Sequence, residues 1–399
     1  MGLQDQQYAF AQHVVLRLAK SRAAGSARLR CQPEEFAIEV GDDHVLYLGN
    51  LFHETADMDG ADRDARIDRF VSAMLRPAPP ENTWDEVRER LRPILRPATY
   101  GIAEDGARPL TRAAFPFTVE MVAIDRPDSR AIVTVSDAEK WGVPSEDIFA
   151  QARANLRNGI APMDLEPGSI IRFVDDGNGY FSSYLLDPDW LAGLAGPDTR
   201  PVAFVPDVDT LIVAPDDPEL LGSLFEMAED QYREATRPLS PQAYTLDAHG
   251  VVVPFDTAGP HALLPAARRA ATGLAVTEYS IQADWLRTRF DDGSDIDELD
   301  LAPAFIATPY VHEDESGPRT VTTWGEGVEY LLPRADYIAF CVMDEQEEIT
   351  TLCTVPFTTA IELTGITPVP GLTPPRYEAR HWPDRDTLAA LVRADVVLA

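Results

Sequence analysis

The sequence predicts an α+β fold: repeated β-hairpin and helix units forming mainly antiparallel sheets with helices packed on one face, in two or three subdomains. Three observations carry this reading. Short runs rich in Val, Ile, Phe and Tyr alternate with capped amphipathic segments. Hairpin-type turn residues separate several of the runs. The order hairpin-then-helix recurs over residues 27–75, 117–158, 202–235 and 337–363, with no repeat at the level of individual residues.

Residues 1–80 read as a helix/strand/helix subdomain. Residues 3–24 place Phe10, Val14 and Leu18 on one helical stripe, with Gln, Arg and Lys opposite. Strands are expected over 27–31, 36–40 and 45–48, then a helix over 62–75 that stops at the proline-containing breaker 76–80. Thr83 and Glu86 form a capping box for a short helix carrying Trp84 and Val87. Residues 81–113 read as a connector, because 92–113 is rich in Pro and Arg and weakly periodic.

Residues 114–258 read as the central α+β domain. Strands are expected over 117–124 and 131–135. Ser136 with Glu139 makes a second capping box, and Ser145 caps a helix with Ile148, Phe149, Ala152 and Leu156 on its apolar face and Gly159 at its stop. A hairpin is expected from 169–174 and 180–185 around Asn178-Gly179, a pair that tolerates positive φ at both central turn positions. A further hairpin joins 202–205 to 210–213. Asp217 caps, and Pro218 opens, a helix whose inward face is Leu221, Leu224, Phe225 and Ala228.

Residues 259–399 read as a C-terminal α+β extension. An Ala-rich helix starts near Pro260, followed by the acidic loop 291–300. Strands are expected over 305–310, 321–324, 337–342 and 349–355, and a terminal helix over 385–397.

Composition narrows function. Formal net charge is −32, and Lys20 and Lys140 are the only lysines. An acidic surface repels phosphate backbones and anionic lipid, so nucleic acid and membrane are not expected as partners. A protein partner, basic in character, or a second copy of the chain, fits better. Arg in place of Lys, with abundant Ala, Asp and Pro, suggests a high-GC bacterial genome. Cys31, Cys341 and Cys353 form no CxxC pair and no even set, so neither a zinc site nor a disulfide framework is indicated. The first residues lack a basic region followed by an apolar run, and no apolar stretch approaches the ~20 residues that span a bilayer. The expected compartment is the cytoplasm.

Part of the chain resembles a bacterial family of unknown function typified by the YtpQ proteins. The matching residues are Asp175, Asp176, Gly177, Asn178, Gly179 and Tyr180, followed by Ser183 and Leu185. Val202-Ala203-Phe204-Val205-Pro206, leading to Thr210-Leu211-Ile212-Val213, is a second match, and residues 93–97 with Ala154-Asn155-Leu156 agree more loosely. The resemblance spans roughly residues 45–255. It implies an architecture, and the family brings no activity to transfer.

The chemical motifs are sparse. His53-Glu54 and His312-Glu313 lack the second His four residues on that a zincin needs. Glu54, Asp57, Asp59, Asp62 and Asp64 are dense in oxygen ligands but do not follow EF-hand spacing, and neither do Asp291, Asp292, Asp295, Asp297 and Asp300. Gly177-Asn178-Gly179 mimics the start of a dinucleotide fingerprint, yet the residues after it do not read as a helix. No serine elbow is present. No cofactor is therefore expected. The leading expectation is a non-enzymatic binding, scaffold or adaptor protein with an acidic surface. The alternative is a hydrolase or transferase using a carboxylate site assisted by a divalent metal. The residues singled out for binding are Asn155, Asn178, Gly179, Tyr180 and Trp190, with core packing and turn geometry as the competing explanation.

Overall fold

A computed structural model describes residues 3–20, 28–32, 36–40, 44–55, 58–75, 83–102, 108–126, 130–159, 169–174, 180–195, 199–291, 301–314, 317–343 and 348–396. The fold is α+β with mostly antiparallel sheets, as the sequence predicts. The chain divides into two compact units. One comprises residues 1–92, 108–110 and 122–155, the other 93–107, 111–121 and 156–399.

The first unit opens with α1 (Leu3–Lys20), the antiparallel strands β1 (Leu29–Gln32), β2 (Ala37–Val40) and β3 (His44–Tyr47), and the helices α2 (Gly49–Glu54) and α3 (Gly60–Leu75). The stripe Phe10, Val14 and Leu18 is buried against Ile38, Leu46, Leu51, Ile67 and Val71, so α1 is held by its apolar face. Burying such a side chain stabilises by roughly 1.5–3 kcal/mol. Helix α4 (Trp84–Val87) starts at Thr83, whose N–H donates to the Glu86 carboxylate at 3.2 Å.

Residues 92–113 are not a plain connector. They contain β4 (Leu91–Pro97) and enter β5 (Thr111–Phe115). Leu91, Ile94 and Leu95 are all buried in β4, and a strand buried on both faces lacks the alternation by which an exposed one is recognised. In the second unit β5 pairs with the first half of β6 (Thr118–Asp125). In the first unit the second half of β6 pairs with β7 (Arg130–Ile132), and α5 (Val135–Trp141) and α6 (Ser145–Gly159) follow. The α5 cap lies two residues before the expected one. The Thr134 N–H donates to Asp137 at 2.9 Å, and the Asp137 N–H donates back to the Thr134 hydroxyl at 3.2 Å. On α6 the predicted face Ile148, Phe149, Ala152 and Leu156 is buried.

The second unit continues with β8 (Ile171–Val174), α7 (Pro188–Ala192), β9 (Pro201–Asp207), β10 (Thr210–Pro215), α8 (Pro218–Glu234), β11 (Pro238–Leu246) and β12 (Val252–Pro254). These strands form a sheet in the order β12-β11-β9-β10-β8. The β9–β10 hairpin and the inward face of α8, with Leu221, Leu224, Phe225 and Ala228 buried, follow the expectation. The expected 169–174/180–185 hairpin does not form. β8 pairs with β10 instead, and Phe181–Leu186 is a 3-10 helix. Ser182 through Leu186 are all buried there, and Tyr180 turns the chain at φ 52°.

Helix α9 (Leu264–Asp291) is 28 residues long and packs on β11, α8 and β15 (Gly317–Gly325). Being covered on several sides, it buries Leu274, Tyr279 and Leu286 together with the polar Glu278 and Gln282. Two further sheets follow: β13 (Phe305–Ile306), β16 (Tyr330–Pro333) and β19 (Arg376–Ala379) in one, and β14 (Tyr310–Asp314), β15, β17 (Tyr337–Met343) and β18 (Ile349–Pro356) in the other. The β13–β16 and β15–β17 pairs are parallel. Helices α10 (Phe357–Thr364) and α11 (Arg385–Arg393) bury Phe357, Ala360 and Leu391 in a core with Trp324, Phe340 and Val355.

Candidate functional site

In the first unit, α1, α2 and the start of α3 enclose a cleft of about 700 Å³. Helix α1 contributes Gln6, Ala9, Phe10 and His13. Phe52 and Thr55 come from α2 and its end, and Gly60, Arg63 and Asp64 from the first turns of α3. The apolar wall is aromatic: Phe10 meets Phe52 edge-on at 5.2 Å, and Phe52 meets Phe36 at 5.6 Å. A Cβ added at Gly60 would meet open space, so the missing side chain leaves the cleft mouth clear. Asp59 caps α3 by accepting the N–H groups of Ala61 and Asp62 at 2.9 and 3.0 Å. Those helix-terminal donors are therefore already satisfied.

One side of the cleft is charged. The His13 Nε2 lies 2.6 Å from Asp64 Oδ1, and Arg17 Nη1 donates to Asp64 Oδ2 at 2.7 Å. Arg17 also grips Asp68 with Nε at 2.8 Å and with Nη2. A carboxylate only accepts, so His13 Nε2 carries the proton and Nδ1 is the nitrogen left for other contacts. The hydrogen bond from His13, then the charges of Arg17 and Lys20, hold the Asp64 carboxyl below the usual aspartate range. Arg63 turns its guanidinium to the carbonyls of Thr55 (3.0 Å) and Met58 (3.4 Å). The Thr55 hydroxyl donates to the Leu51 carbonyl at 2.8 Å, and among the described residues no Ser or Cys lines the cleft. His13 thus has an orienting acid in Asp64.

The residues singled out from sequence lie elsewhere. Asn155 donates to the carbonyls of Arg88 (2.7 Å) and Leu91 (3.0 Å) and accepts from Gln151 (2.8 Å), tying α6 to the turn before β4. Tyr180 is buried and caps the 3-10 helix. Trp190 meets Tyr184 edge-on at 4.9 Å and lies tilted against Phe173 at 6.0 Å, in a group closed by Phe181. Rings this close fill the space between them, so the group packs as a core and holds no cage for a cation. Asn178 and Gly179 lie outside the described residues. Asn155, Tyr180 and Trp190 do not line the cleft.

The acidic cluster around α3 is engaged internally. Glu54 pairs with Arg66 at 2.6 Å, Asp59 caps the helix, and Asp64 holds His13 and Arg17. Asp57 and residues 292–300 lie outside the described residues. Among the described residues no three His, Cys, Asp or Glu side chains converge in a metal-binding group, and no helix is long and apolar enough to cross a membrane. Cys353 pairs with Phe340 and shares its core, whereas the adjacent Cys341 belongs to a separate cluster with Val321 and Ala339. Neighbouring strand residues point to opposite faces, so these free thiols sit on opposite sides of the sheet.

Compared with protein-family models, with curated proteins and with solved structures, the chain shows no match.

Proposed function

We propose that the protein is a non-enzymatic binding or adaptor protein whose α1–α2–α3 cleft receives apolar side chains of a protein partner. The cleft carries the reading: its volume of about 700 Å³ is within the ~300–1,000 Å³ of ordinary binding pockets. Its aromatic wall supplies apolar contact, and its polar side chains fix orientation. The charge of −32 favours a partner with a basic surface, because long-range attraction raises the rate of encounter. The resemblance to the YtpQ proteins is part of the proposal as an architecture, and a cytoplasmic location goes with it. The alternative of a metal-assisted carboxylate enzyme draws no support from Glu54, Asp59 or Asp64, whose oxygens already hold an arginine, backbone amides, and a histidine with an arginine.

Gly60→Trp tests the reading, since Gly60 lines the cleft and a Cβ added there meets open space, so a bulky ring can be placed at the cleft without a clash at its root. Affinity capture from the native host at low salt should enrich a basic protein with the unmodified chain and lose it with the variant. Enrichment that ignores both the substitution and added salt rejects the proposal.

A further inference from the structure

The charged side of the cleft is built from His13 and Asp64, which line the cleft themselves. His13 is 41% exposed and Asp64 34% exposed, so both meet solvent and a ligand at once. The apolar residues Val14 and Leu18 pin α1 to Ile67 and Val71 on α3, independently of this ion-paired group. A change at His13 can therefore alter the cleft while the helix pair stays docked. Taking the cleft as the binding site, we propose that the His13–Asp64 pair is a pH-sensitive latch that gates entry to it.

With a proton on both ring nitrogens, His13 is a cation bonded to the Asp64 carboxylate at 2.6 Å. The ring is then held against α3 and keeps a positive charge on the lining it shares with Phe10 and Phe52, which penalises an apolar guest. Once neutral, His13 loses the ionic part of that bond, and Arg17, already bonded to Asp64 Oδ2, retains the carboxylate. The ring, held then only by a neutral Nε2–H bond to Asp64, turns more readily and packs against the guest. The charged groups around it are Arg17 and Lys20 on α1 with Arg63, Asp64 and Asp68 on α3. The α2 segment presents the uncharged Phe52 and Thr55.

The test uses the full chain and 4-fluorotoluene, a neutral aromatic probe with no titration of its own, followed by fluorine NMR. Imidazole titrates across physiological pH, so affinity is measured at about pH 8 and about pH 5.5. The probe should bind roughly threefold to fivefold more tightly at the higher pH, the scale on which exposed ion pairs act. In His13→Gln, which keeps a neutral N–H for Asp64, the dependence should vanish. Equal pH dependence in both proteins, or tighter binding at low pH, overturns the latch and leaves the cleft reading intact. Binding unaffected by Gly60→Trp, or no binding to the unmodified chain at either pH, removes the cleft reading and the latch with it.

Discussion

Arg376 is a fully buried cation with no carboxylate among its hydrogen-bond partners, and its replacement tests how the core of the second unit is held. Its Nε donates to Gln282 Oε1 at 2.6 Å, Nη1 to the carbonyls of Ala307 (2.6 Å) and Leu331 (3.1 Å), and Nη2 to that of Tyr279 (3.0 Å). The guanidinium also lies over the Tyr279 ring, 5.3 Å from its centre. Burial pushes the Arg376 pKa down to about 10, which measures how costly the charge is in this setting. A buried ion can often be exchanged for an apolar side chain without loss. Here the partners decide otherwise.

In Arg376→Met the volume is nearly kept and the donors vanish. The Leu331 carbonyl still receives the Ala307 N–H at 3.3 Å, and the Tyr279 carbonyl remains in its helix. The Ala307 carbonyl and Gln282 Oε1 lose their donor, at roughly 1–3 kcal/mol each. Relief of the buried charge offsets part of that, leaving a net loss of about 2–4 kcal/mol. Urea unfolding followed by tryptophan fluorescence should report it, since Trp285, Trp324 and Trp382 all lie in the second unit. Adding Gln282→Met should return little, because the orphaned Oε1 disappears but the buried Pro374 carbonyl loses the Gln282 Nε2–H that it accepts at 2.7 Å. A single Arg376→Met variant as stable as the parent refutes the reasoning.

Two smaller predictions follow from the same kind of accounting. Glu278 is buried on α9 and accepts the Thr99 N–H at 2.9 Å, while desolvation raises its pKa above the usual 4.5. Its favourable share of stability is therefore complete below that ordinary value and is lost as pH rises through the raised one. Glu278→Gln should flatten the decline seen in thermal melts between acid and neutral pH, and an unchanged slope would rule out this residue as its source. Asn155→Ala should cost about 1–2 kcal/mol for its two donor bonds. Asn155→Asp should cost more in the same denaturation assay, because a carboxylate cannot donate to the Arg88 and Leu91 carbonyls.

What could be read from the sequence follows from where the physical signal is local. The caps at Thr83 and Asp217, and the buried faces Phe10/Val14/Leu18 and Leu221/Leu224/Phe225/Ala228, are determined within one turn or two, and the structure reproduces them. The failures fall where pairing is decided at a distance. β8 takes β10 as its partner across the sheet, not the nearer segment 180–185, and the buried run Ser182–Leu186 has no period to disclose that it is a 3-10 helix. β16 and β19 are too short to announce themselves, and Arg376 of β19 ties the pair together through its side-chain bonds to the Leu331 carbonyl of β16 and the Ala307 carbonyl.

The cleft was hidden for a different reason. Its aromatic wall belongs to residues that also serve the core, so Phe10 reads only as packing. A signal was nevertheless available: His13 and Arg17 stand four apart on α1, and Asp64 and Asp68 stand four apart on α3. Two helices with opposite charges at one-turn spacing can zip face to face, and that match predicts the juxtaposition without any family knowledge. His13 and Arg17 on α1 and Asp64 and Asp68 on α3 therefore acquire meaning only as a pair of helices. Charge complementarity between elements, not the charge of either element, is what locates the site.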